Sequence, residues 1–152
     1  MSAEARLQEL GIELPPPFEP VGNFVAARVS RGMLYVSGQG PAGPDGMITG
    51  KVGGSLTLSQ GVDAARVVGL NLLAAAKAAA GGNLEKVEVL KVLGMVNAVP
   101  GFGDQPKVIN GCSDLFVNVL GERGRHARSA VGMGSLPVGI PVEIEAVMRV
   151  VD

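Results

Sequence analysis

The sequence predicts an α+β domain: one mixed sheet with two long helices on one face, in the order ββ(β)αβαββ. Three observations carry this. Apolar residues recur at helical spacing in two segments, over residues 58–76 and 108–119. Alternating or continuous apolar runs of strand length flank both segments. The chain has 152 residues, which fits one domain able to bury a core without disulfides.

Taken in order, Ser2 can cap a short helix that Gly11 ends, with Leu7 and Leu10 on its apolar side. Leu14-Pro15-Pro16-Pro17 follows as a stiff extended arm laid over the domain. Residues 23–29 and 33–37 read as two strands joined at Ser30-Arg31-Gly32. Residues 48–52 offer a short third strand. Thr57 or Ser59 starts the strongest helix, with Leu58, Val62, Ala65, Gly69, Leu72, Leu73 and Ala76 on one face; Gly81-Gly82 ends it. Residues 87–96 form a nearly continuous apolar run, as expected of a strand in mid-sheet. Pro106 suits the first turn of a second helix that runs to about Leu120 and stops at Gly121. Residues 128–133 read as a strand. Residues 142–151 form the last one, with Val142, Ile144, Ala146, Met148 and Val150 on one face and Glu143, Glu145, Val147, Arg149 and Val151 on the other. The expected organisation is a single domain over 1–152, with a helix and Pro-rich arm over 1–20 and the core over 21–152. Two helices cover only one sheet face, so a partner subunit is expected on the other.

Composition narrows the function. Thirteen basic and fourteen acidic side chains give a formal charge of −1, which offers no footprint for nucleic acid. The chain has no Trp and few other aromatics, so stacking platforms for single strands are not expected. One Cys and one His cannot build a tetrahedral Cys/His zinc site within one chain. The mixed, charged N-terminus lacks a signal-peptide core, and the uncharged helical stretch 67–76 is too short for a bilayer. A cytoplasmic location without membrane contact is the expectation. Glycine reaches 23 residues, about twice its usual share, so the chain turns often or brings backbone close to something.

Few side chains are candidates for chemistry. Arg128 opens an apolar strand, where an unpaired guanidinium is costly. It needs an acidic protein partner or an anionic ligand, and a structural salt bridge is the simpler expectation. Glu143 and Glu145 stand two apart on a strand, so both project from one face about 7 Å apart. Such a pair serves either general acid–base work or a solvated surface. His126 lies beside three arginines with no adjacent Asp, which argues against a Ser–His–Asp triad. Cys112 falls on the apolar stripe of the second helix as a small buried hydrophobe. Gly38-Gln39-Gly40 lacks the spacing of a phosphate loop but lets backbone approach a ligand.

Three stretches together resemble the Rid family, also called YjgF-like or endoribonuclease L-PSP. They are Val36-Ser37-Gly38-Gln39-Gly40-Pro41, then Ala127-Arg128-Ser129-Ala130-Val131-Gly132, then Leu136-Pro137 with Val142-Glu143-Ile144-Glu145-Ala146. Their order matches across roughly residues 18–150, leaving the arm up to Pro20 outside. The runs 108–116 and 124–128 look like a branch with an N-terminal extension. The resemblance implies a chorismate-mutase-like fold, a homotrimer with clefts between subunits, and no cofactor. It implies hydrolysis of 2-imino acids, or their 2-enamine tautomers, to 2-keto acids and ammonia. A non-catalytic module binding small carboxylates is the alternative, and ribonuclease the remotest. By resemblance, Arg128 would hold the substrate carboxylate and Glu143 would orient water. Gly38 would line the cleft and Asn110 would be a cleft asparagine. Phe24 and Ala130 would stand where many members carry tyrosine and cysteine.

Overall fold

The computed structural model describes all of residues 1–152. Ten elements follow in order: α1 (Ala3–Glu9), β1 (Ala27–Ser30), β2 (Met33–Gln39), β3 (Ala42–Gly43), β4 (Gly46–Met47), α2 (Leu58–Ala79), β5 (Val87–Asn97), α3 (Gln105–Leu120), β6 (Ala127–Met133) and β7 (Val142–Val150). Short 3₁₀ turns occupy Leu84–Lys86, Gly121–Gly124 and Pro137–Gly139.

Local chemistry sets the boundaries. Arg31 and Gly32, at φ 50° and 77°, both adopt the left-handed region that a tight hairpin needs, and they turn β1 into β2. Thr57 caps α2 reciprocally with Gln60: the Gln60 amide donates to Thr57 Oγ1 at 3.1 Å, and the Thr57 amide to Gln60 Oε1 at 2.9 Å. The expected third strand at 48–52 does not form. Ile48 donates one backbone bond to Pro41, and Val52 makes only isolated bridges to Leu56 and Ala98. The two-residue pair β3–β4 takes that strand's place. Positive φ at Gly46, just before the segment, and at Gly50, within it, 102° and 130°, breaks the extended run.

The main sheet has five strands in the order β1-β2-β7-β5-β6, parallel between β5 and β6 and antiparallel elsewhere. Helices α2 and α3 cover one face. Leu34, Val36, Val92, Val96, Ile144 and Met148 bury themselves there with Leu72, Leu73, Ile109 and Phe116. Glycine lets the two helices approach closely. A Cβ on Gly111 would lie 2.1 Å from the Val62 carbonyl oxygen, and one on Gly69 2.9 Å from Leu115. The opposite sheet face is uncovered. Met95 pairs with Glu143 and Val131, and Leu93 with Glu145 and Ser129, so these side chains share it. Tyr35, aligned with Val147 on the same face, is 51% exposed.

The N-terminus is anchored. Ala3 and Leu7 are buried in the core, Glu4 pairs with Lys77 at 2.6 Å, and the Ala3 amide donates to the Glu85 carboxylate. No helix is long and apolar enough to cross a membrane.

Candidate functional site

Strand alternation divides the candidate residues. On β7, Val142, Ile144, Ala146 and Met148 point into the core, which leaves Glu143 and Glu145 on the open face. Glu143 is partly buried. Burial pushes its carboxyl above the usual range, and the Glu145 charge adds to that. Facing it, β2 carries a bulge. Val36 pairs with Ala146 but Gln39 with Ile144, so β2 spends three steps where β7 spends two. The bulge brings Gly38 against the glutamate, where a Cβ would lie 3.1 Å from Glu143 Oε2. Only glycine leaves that carboxylate its present position. Ser37 fixes the bulge by donating to the Val25 carbonyl at 2.7 Å.

Arg128 lies on the other face. It aligns with Val92, and Ala130 with Gly94, whose added Cβ would strike Ile109 of α3. The guanidinium therefore leaves edge strand β6 toward α3. Its Nη1 donates to Ser113 Oγ at 3.1 Å and its Nη2 to the Pro106 carbonyl at 3.2 Å. The expected salt bridge is absent. The five ion pairs of the chain join other residues, and Asp114, next to Ser113 on α3, turns outward to solvent. Arg128 thus carries two neutral acceptors and three uncommitted N–H donors.

Around it, Asn110, Ser113, Val117, Arg125 and His126 complete a cleft of about 220 Å³. His126 is not the isolated side chain its sequence neighbours imply. Its Nε2 lies 2.9 Å from Ser113 Oγ, and its Nδ1 2.7 Å from the Gly124 carbonyl. Burial pushes its pKa below the usual value, the Gly124 bond works against that, and the Arg128 charge reinforces it. The ring stands edge-on to Phe116, with centroids 5.8 Å apart. Cys112, one turn away, is fully buried, and burial pushes its thiol up. No group of three His, Cys, Asp or Glu side chains could hold a metal ion.

The structure thus brings Gly38 to Glu143 and Asn110 to Arg128, but sets the two pairs on opposite sheet faces. Phe24 joins neither. It is 50% exposed, and its ring packs on Phe18 of the arm at 6.3 Å between centroids. Ala130 packs against the core, away from the Arg128 cleft. A larger cavity of about 720 Å³ lies under the arm, where Leu14, Phe18, Gly38, Met47, Val67 and Leu70 are among its walls. Sequence reasoning missed Ser113. Its signal was spacing alone, three residues after Asn110 and so on the same side of a helix.

One mixed sheet under two packed helices, with a cleft at its edge, defines a chorismate-mutase-like α+β protein. The chain belongs to the family described as "YjgF/chorismate mutase-like, putative endoribonuclease", which matches residues 4–142. The match takes in most of the N-terminal arm, which the sequence resemblance had placed outside, and it stops one residue before Glu143. The chain is 44% identical over 148 residues to Protein TCP17 of Trypanosoma cruzi, covering 95% of this chain and 92% of that one. A crystallised protein of unknown function from Agrobacterium tumefaciens is 45% identical with a TM-score of 0.89, covering 97% of this chain and 91% of that one. A Shewanella oneidensis structure carrying the same endoribonuclease label is 28% identical with a TM-score of 0.93, covering 99% and 100%. RidA from a Psychrobacter species is 29% identical with a TM-score of 0.61, covering 89% and 94%.

Proposed function

We propose that the protein hydrolyses 2-imino acids, or their 2-enamine tautomers, to 2-keto acids and ammonia, in clefts between the subunits of a homotrimer. One observation carries this reading. Arg128 is a partly buried guanidinium with no carboxylate partner and three free donors in a small cleft. That arrangement suits a ligand carboxylate, which guanidinium meets with two parallel bonds. The likeness to RidA and the uncovered sheet face support the trimer.

In this reading Arg128 of one copy holds the carboxylate and Glu143 of a second copy faces the imine carbon. The imine is already electrophilic, so positioning supplies much of the acceleration. Water adds to the carbon as its proton passes to Glu143. Glu143 returns that proton to the nitrogen of the carbinolamine. As the C–N bond breaks, the hydroxyl gives its own proton to the freed Glu143 carboxylate, so that the keto group forms and ammonia leaves. A carboxyl whose pKa is raised toward neutrality serves better in both directions. The apolar cavity under the arm adjoins Gly38 and favours imines with bulky apolar side chains.

Phe24 favours the second reading, a non-catalytic module for small carboxylates, because it offers no hydroxyl and packs on the arm. The test generates imines in place with an amino-acid oxidase and follows semicarbazide trapping. Faster imine loss, abolished in Arg128→Ala, is expected. No effect across small, branched and aromatic imines would move the binding module to first place. RNA cleavage abolished by the same substitution would restore the endoribonuclease label.

A further inference from the structure

We propose that Ser113 and His126 are positioning residues, a two-membered relay that holds the Arg128 guanidinium in one orientation for an incoming carboxylate. The proposal rests on the reading of Arg128 as the substrate anchor.

With a neutral imidazole, the contacts fix where each proton sits. The Gly124 carbonyl can only accept, so the hydrogen at 2.7 Å belongs to His126 Nδ1. A neutral ring then has a bare lone pair at Nε2, and burial favours that neutral form. Ser113 Oγ, 2.9 Å away, must donate to it. The hydroxyl's own lone pairs are left for the Arg128 N–H at 3.1 Å. With the ring neutral, the direction of donation therefore runs from the guanidinium through serine and histidine to a backbone carbonyl.

The guanidinium is fixed twice, once by this relay and once by the Pro106 carbonyl at 3.2 Å. Both supports are neutral, so its charge stays whole. The relay is itself braced, since Ser113 sits on α3 and the imidazole packs edge-on against Phe116. The charged groups facing His126 are Arg128 and Arg125, and no acidic side chain lines the cleft. A long arginine normally loses rotamer freedom when it grips a ligand; here that loss precedes binding, which raises affinity.

The test reads Arg128 directly. In the full-length protein, the Nη1–H signal of Arg128, the group that donates to Ser113, is assigned by its disappearance in Arg128→Lys. Its hydrogen exchange is compared in wild type, Ser113→Ala, Ser113→Thr, His126→Phe and the Ser113→Ala/His126→Phe double variant. A slowly exchanging signal is expected in wild type and at least tenfold faster exchange in Ser113→Ala. Ser113→Thr keeps a hydroxyl and should restore it. His126→Phe should repeat the loss, and the double variant should lose no more than either single one, since the pair acts as a unit. Unchanged exchange in a folded Ser113→Ala protein overturns the relay. Titration with 2-oxobutanoate is the second arm. It should move the Arg128 signal, with a Kd about tenfold weaker in Ser113→Ala. A signal in wild type that ignores the keto acid overturns the anchor itself, whatever the exchange comparison shows.

Discussion

Glu143 shows how a common side chain acquires a special property from its neighbours. Burial raises its carboxyl pKa first, and the charge of Glu145 raises it further. If Glu143 orients water as proposed, its base form does so, and activity should fall as pH drops through this raised value. The acid limb of the rate profile therefore lies above that of an ordinary carboxylate. Glu145→Gln removes one of the two causes and should move the limb to lower pH, but only part of the way, because burial remains. A pH profile of kcat/KM in both proteins checks this, and a limb that does not move would show that the two charges do not interact. The sequence placed Glu143 and Glu145 on one face through simple alternation. It did not show that Gly38 presses on Glu143, because that contact depends on a bulge whose extra residue has no marker in composition. For Arg128 the sequence showed the need for a partner but pointed to a salt bridge. Side chains such as Ser113 give no such warning, because a hydroxyl on a helix is ordinary until its neighbours are known.

At the scale of elements, periodicity was a dependable guide. Both long helices and the last three strands lie within about two residues of where their apolar patterns put them. The failure at residues 48–52 has a physical cause. A five-residue stretch that could be extended says nothing about whether a neighbouring strand edge is free to pair, and here glycines with positive φ bend the chain away. Glycine abundance also turned out to concern helix packing as well as turns. Gly111 lets α3 lie against the Val62 carbonyl of α2, where a methyl group would stand 2.1 Å from backbone oxygen. Backbone cannot yield as a side chain does, so Gly111→Ala should separate the helices and cost about 3 kcal/mol. Thermal melting should show a fall of several degrees, whereas alanine at Gly103, which meets nothing within 4 Å, should melt like wild type.

For the whole molecule, the uncovered face of the sheet is the dominant fact. Leu93, Met95, Val131 and Tyr35 share it with Glu143, and no element of the chain lies over them. If three copies close around these faces, a charge placed there should prevent assembly without unfolding the subunit. Val131 is already 38% exposed, so Val131→Lys costs little within one chain. Light scattering should report a trimer for wild type and a monomer for the variant, with the same far-ultraviolet circular dichroism. A trimer in both would exclude this face as the contact. The same faces explain why the candidate site could be read only in part from sequence: its residues are all present, but one chain cannot bring them together.

If the proposed site forms between copies, the placement of Arg128 and Glu143 on opposite faces has a genetic consequence. Two alleles, each dead alone, should rescue one another in the same cell. Subunits carrying Arg128→Ala still supply Glu143, and those carrying Glu143→Gln still supply Arg128. In randomly mixed trimers about one junction in four would unite two intact contributions, so co-expression should restore up to about a quarter of wild-type turnover. Mixing the purified homotrimers without exchange of subunits should restore nothing. Complementation of this kind would mark the unit of function as the junction between chains, and the gene as encoding two halves of it.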